Sequence, residues 1–94
     1  MEFDWNNTAF EMDEEVSEAD IEESFEDPFA VRLMPDAPRF TQTARYFNLG
    51  RCMKGEGFFS IYRTNGKQVR VIGSRMFEPE EMFFYKQNMK RLLK

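Results

Sequence analysis

The chain has 94 residues, with 13 Lys and Arg against 17 Asp and Glu, a net charge of −4, one cysteine and no histidine. That length suits one domain over residues 1–94 with a modest core; Cys52 alone excludes an internal disulfide, and without histidine no zinc site of the usual kind is expected, nor any other metal or cofactor. No apolar run is long enough to span a bilayer, and Met1-Glu2-Phe3-Asp4-Trp5 lacks the basic and apolar regions of a secretory signal, so a cytosolic protein is expected whose chemistry falls to Arg, Lys, Tyr, Asp or Glu.

Residues 1–30 hold twelve of the 17 acidic side chains and no basic one, whereas residues 31–94 hold all 13 basic residues and five acidic ones, near +8 against near −12. A basic body of this kind commonly meets phosphates, and an acidic arm attached to it either covers that surface or is simply a solvated helix. Within the arm, Glu2-Phe3-Asp4-Trp5 alternates polar and apolar residues, which predicts an edge strand or anchor with Trp5 buried. Asn6 to Glu15 is polar and unpatterned; Asn6-Asn7-Thr8 matches a glycosylation pattern by chance, and the carboxylates from Asp13 to Asp27 lack the spacing of a calcium loop. Ser17 with Asp20 three residues on resembles a capping box opening a helix to about Glu26, with Ile21 and Phe25 as its buried stripe. Asp27-Pro28 stops it, because the residue before proline is pushed out of the α region.

Phe29 to Leu33 reads as a strand, and Pro35 and Pro38 bracket the loop after it. Three central strands follow, Thr41 to Gly50, Gly57 to Arg63 and Lys67 to Arg75, separated by glycine-bearing connections. Asn65-Gly66 suits a two-residue type I′ hairpin, which would set Tyr62 opposite Val69, Ser60 opposite Val71 and Phe58 opposite Gly73. Both faces then carry large apolar groups near Phe58-Phe59, which predicts cover on both sides of the sheet there. On that register Arg70 shares a face with Ile72, and Arg75 lies with Val71 and Gly73 on the other if no bulge intervenes. Phe77-Glu78-Pro79-Glu80-Glu81-Met82 reads as a helix start, with proline in the first turn, acids at the positive dipole end and a Phe77 to Met82 staple. Met82, Tyr85, Met89, Leu92 and Leu93 form its packing stripe, and Lys86, Lys90 and Lys94 a basic one that is most simply solvated. The pattern as a whole is α+β, a small antiparallel sheet with N- and C-terminal helices packed on it.

In their order along the chain, Met1-Glu2-Phe3-Asp4-Trp5, Ser24-Phe25-Glu26-Asp27-Pro28, Arg45-Tyr46-Phe47-Asn48-Leu49-Gly50-Arg51, Tyr62-Arg63-Thr64-Asn65-Gly66 and Val69-Arg70-Val71-Ile72-Gly73-Ser74-Arg75 resemble the BrnT toxins, as do Glu81 and Tyr85 in the last helix. The resemblance covers almost the whole chain. It implies a RelE-like α+β fold, metal-independent endoribonuclease activity and neutralisation by a ribbon-helix-helix antitoxin in a bacterial type II toxin-antitoxin pair. This sequence departs from the family at three places. Glu14-Glu15 stand where His-Gly is common, Met76 follows Arg75 where a second arginine is common, and Met82, Phe83 and Phe84 occupy basic positions of the last helix.

Metal-free cleavage requires removal of the 2′-hydroxyl proton, protonation of the departing oxygen and positive charge on the phosphorane. Arginine suits the last role, so Arg51, Arg70 and Arg75 are the catalytic candidates, with Arg45 in support. With no histidine, Glu81 is the candidate base, Tyr85 or Tyr62 would place or donate a proton, and Lys54 would contact the phosphate chain. Each also has a structural explanation: the arginines as ion pairs with the acidic first helix, Glu81 as a helix-start acid, the tyrosines as core, Lys54 as a turn charge. Tyr46, Phe47, Phe58 and Tyr62 are candidates to stack on bases, although a domain this small needs most of them for its core. The alternative to a nuclease is a catalytically degenerate toxin relative, an antitoxin-binding and co-repressing module, with Met82-Phe83-Phe84 as part of its contact patch.

Overall fold

A computed structural model describes residues 2–6, 16–33 and 45–93. Helix α1 (Glu18–Glu26) opens on Ser17, whose extended backbone lets its hydroxyl accept from the Asp20 N–H at 3.1 Å. Glu18 and Asp20 sit at its positive end, and Ile21 and Phe25, one turn apart, are fully buried. At the other end Arg32 Nη2 donates to the Phe25 carbonyl at 2.7 Å, satisfying an acceptor that the helix leaves unpaired.

Among the described residues the sheet has five strands in the order β1-β5-β4-β3-β2: β1 (Glu2–Phe3), β2 (Val31–Leu33), β3 (Tyr46–Arg51), β4 (Gly57–Thr64) and β5 (Gln68–Met76). The α+β class is as expected, but the sheet is mixed, because β1 runs parallel to β5 while every other pairing is antiparallel. Strand β2 begins at Val31, two residues later than expected, because Asp27 accepts from the Phe29 N–H and holds the chain in a turn. The expected strand start at Thr41 and the prolines 35 and 38 lie outside the described residues, as does most of the polar stretch to Glu15.

One face of the sheet carries Tyr46, Phe58, Tyr62, Val69 and Val71, packed against Val16, Ile21 and Phe25, with Phe3 and Trp5 at the margin. Phe25 meets Phe3 and Tyr62 edge-on at 5.2 and 5.0 Å. The buried valine, isoleucine and phenylalanine side chains among these each contribute about 1.5–3 kcal/mol over leaving them exposed. Helix α1 rests directly on the β3 backbone. A Cβ at Gly50 would stand 1.9 Å from the Ser24 carbonyl oxygen, and the same oxygen accepts from Asn48 Nδ2 at 3.2 Å.

Helix α2 (Pro79–Leu92) starts as expected on proline, with Glu78 and Glu81 forming a reciprocal capping box. It covers the opposite face at one end only. Phe77 fills the space that a side chain at Gly57 would need, and its ring packs against Tyr85 at 5.7 Å. Of the expected stripe only Tyr85 is buried; Met82 and Met89 are half-buried, and Leu92 and Leu93 are exposed. Phe83 and Phe84 are exposed too. No helix among the described residues is long and apolar enough to cross a membrane.

The hairpin corrects the expected register. Thr64, not Tyr62, pairs with Val69, so four residues form the connection, and among these four Gly66 alone takes a positive φ, of 90°. A two-residue type I′ turn needs positive φ at both positions. Instead Asn65 Oδ1 accepts from the N–H groups of Lys67 and Gln68 at 2.8 and 2.9 Å, and Thr64 Oγ1 accepts from the Gly66 N–H and donates to the Gln68 carbonyl. Side-chain acceptors thus stabilise a wider loop. Further along, the register shifts by one between Ile61 and Tyr62: Tyr62 pairs with Val71 and Ile61 with Gly73, leaving Ile72 as the extra residue of a bulge.

Candidate nucleic-acid interface

The bulge decides where the arginines go. Without it Arg70 and Arg75 would fall on opposite faces; with it Arg70 pairs with Arg63 and Arg75 with Phe59, on the face turned away from α1. The expectation of separate faces is therefore corrected. In register order that face carries Arg51 and Gly57 under α2, then Leu49, Phe59 and Arg75, then Phe47, Ile61 and Gly73, and last Arg63 and Arg70 at the hairpin end. Arg45 is exposed and immediately precedes Tyr46, at that same end of β3.

At the α2 end the polar groups are interlocked. Arg75 Nη1 and Nη2 donate to the two carboxylate oxygens of Glu81 at 2.6 and 2.8 Å, and Glu81 also accepts from the Glu78 N–H at 2.8 Å. The Arg75 guanidinium lies 4.8 Å from the Phe59 ring centre, and Phe59 stacks on Phe47 at 5.7 Å. The Arg75 hydrogen bond holds the Glu81 carboxyl below the ordinary range, and Glu81 in turn pushes the Arg75 pKa further up. This pair is therefore a carboxylate ionised at neutral pH beside a fixed positive charge.

Tyr85 is different. It is 1 % exposed and its hydroxyl donates to Asp27 Oδ2, which also accepts from the Arg51 N–H at 2.8 Å; Arg51's guanidinium sits 5.6 Å from the Tyr85 ring centre. Burial first, and then the Asp27 hydrogen bond, push the Tyr85 pKa well up. These contacts tie α2, the end of α1 and β3 together through one carboxylate. Tyr62 is buried in the α1-face core, with its pKa raised chiefly by burial, and Lys54 pairs with Asp20 at 3.8 Å. Of the residues named from sequence, Arg75 and Glu81 meet; Arg51 and Tyr85 meet at a neighbouring hub; and Arg70 lies five residues along β5 from Arg75, about 16 Å at strand rise. The acidic first helix accounts for Lys54, whereas Arg70 pairs with Asp4 and Arg75 with Glu81.

Sequence reasoning missed Arg63. A two-residue turn places it beyond the pairing with Val69, whereas the four-residue loop sets it directly against Arg70. The signal was present in Thr64 and Asn65, both side chains that hydrogen-bond nearby backbone and so widen a turn. Among the described residues one trio has metal-ligand geometry: Asp20, Glu23 and Cys52, with ligand atoms within 4.8 Å. Asp20 already pairs with Lys54, and Glu23 accepts from the Met53 N–H at 2.9 Å. Comparison with protein-family models, curated proteins and solved structures finds no match.

Proposed function

We propose that this protein is the toxin component of a bacterial type II toxin-antitoxin pair, a BrnT-like, metal-independent endoribonuclease acting in the cytosol, with Arg75 and Glu81 at its centre. The observation that carries this reading is the bidentate Arg75–Glu81 pair beside the stacked Phe47 and Phe59, on a sheet face lined by further arginines. An ionised carboxylate accepts the 2′-hydroxyl proton as the 2′-oxygen bonds to phosphorus, the guanidinium meets the charge of the phosphorane, the departing 5′-oxygen takes its proton from water, and half-buried aromatic rings suit splayed bases. Tyr85 belongs to the scaffold in this scheme, and Arg70 and Arg45 hold the RNA chain away from the scissile bond. A ribbon-helix-helix antitoxin neutralises the protein by covering this face.

The direct test is incubation of purified protein with RNA in EDTA, scored for discrete cuts ending in 2′,3′-cyclic phosphate, with Arg75→Ala prepared in parallel. Cuts by the wild type alone are expected. Folded wild-type protein that leaves RNA intact supports instead the degenerate, antitoxin-binding module. One observation favours that second reading: among the described residues, no group near Glu81 is poised to protonate the leaving oxygen, because the Tyr85 hydroxyl is buried and committed to Asp27.

A further inference from the structure

At the hairpin end of the same face lies a cavity of about 320 Å³ lined by Asp4, Arg63, Thr64, Asn65, Gln68 and Arg70. Arg63 and Arg70 are direct cross-strand partners, so two guanidinium groups leave neighbouring backbone positions on one face, an arrangement that is destabilising unless something offsets the repulsion. Asp4 offsets one of them, its carboxylate standing 3.2 Å from Arg70 Nη2. Arg63 is left with Nε buried and without a hydrogen-bond partner among the described residues. Burying an unsatisfied donor costs free energy, and a donor on a charged group costs more; such a group in a native fold calls for a bound water or ion.

We propose that the cavity between Arg63 and Arg70 is a binding site for a phosphate group. With Asp4 counted, the lining carries a net charge of +1, and an oxyanion bridging the two guanidinium groups removes both the cross-strand repulsion and the unpaired donor. Phosphate fits because its tetrahedral oxygens accept from two forks at once. The loop's own N–H groups at Gly66, Lys67 and Gln68 are consumed by Thr64 and Asn65, so the arginines are the donors that discriminate. The group arrives either as a free anion or as part of an RNA backbone, and the site needs neither Glu81 nor a base. Its success is therefore independent of cleavage.

The test follows the Arg63 Nε–H resonance of ¹⁵N-labelled protein during titration with inorganic phosphate, with sodium chloride at matched ionic strength, and with a short single-stranded RNA lacking terminal phosphates. A saturable shift with phosphate or with RNA, absent with chloride, is expected; a shift with RNA alone identifies a backbone phosphate. Arg63→Gln is expected to weaken binding roughly tenfold, and Arg63→Lys, which keeps the charge but not the fork, by less. If wild-type Arg63 responds to neither ligand, or responds equally to chloride, the proposal fails; it also fails if folded Arg63→Gln binds as tightly as wild type.

Discussion

The two ends of the sheet face opposite α1 handle arginine in contrasting ways. At the α2 end both arginines are engaged: Arg75 forks onto Glu81, and the Arg51 guanidinium lies against the ring of Tyr85 while its backbone N–H donates to Asp27. At the hairpin end two arginines are set against each other and, among the described residues, a buried donor is left over. A satisfied network fixes geometry, which chemistry needs; an unsatisfied one holds free energy in reserve for a ligand. On the proposed reading, reaction belongs to the first end and grip to the second.

The largest effect expected on this division is that of Glu81→Gln, which keeps the shape but removes the proposed proton acceptor: cleavage should fall about 10²- to 10⁴-fold while RNA binding stays, measured by single-turnover cutting beside equilibrium binding. Retained cleavage would move the base elsewhere. Next comes Asp27→Ala, which leaves the Tyr85 hydroxyl buried without its acceptor and frees the N–H groups of Arg51 and Phe29. A loss of about 2–4 kcal/mol in denaturant unfolding is expected, with phosphate binding at the hairpin end intact once the protein is folded. Tyr85→Phe removes one donor and leaves Asp27 its two backbone partners, so about 1–2 kcal/mol is expected.

These positions also show how far sequence alone reaches. The Ser17 cap, the stop at Asp27-Pro28 and the proline start of α2 were legible because each is fixed by side chains within a few residues of the backbone they satisfy. The pairing of Arg63 with Arg70 turns on a loop length hinted at only by Thr64 and Asn65, and the placing of Arg75 on the same face turns on a bulge at Ile72 that no local pattern announces. Arg75 and Glu81 were both named as candidates, yet their direct pairing depends on that bulge turning Arg75 toward α2. The role of Asp27 was likewise hidden: it was read as a helix stop, while its contact with Tyr85 spans 58 residues of sequence.

The smallest expected effect is pH dependence. Because Arg75 holds the folded Glu81 pKa below the unfolded value of about 4.3, the pair contributes stability that is complete above that value and is lost as pH falls through the lower folded one. Partial exposure of Arg75 screens the pair, so no more than about 1 kcal/mol is expected, read as an acid-side difference in stability between wild type and Glu81→Gln that vanishes below the folded pKa.

The most direct test of the account maps where a single-stranded oligonucleotide with 2′-deoxy sugars, which cannot be cut by 2′-hydroxyl attack, settles on the ¹⁵N-labelled protein. The expected result is a footprint on Phe47, Phe59, Ile61, Arg63, Arg70 and Arg75, with the buried stripe of α1 unmoved. A footprint confined to α1 or to the outer surface of α2, or none at all, would contradict the assignment of this sheet face to nucleic acid.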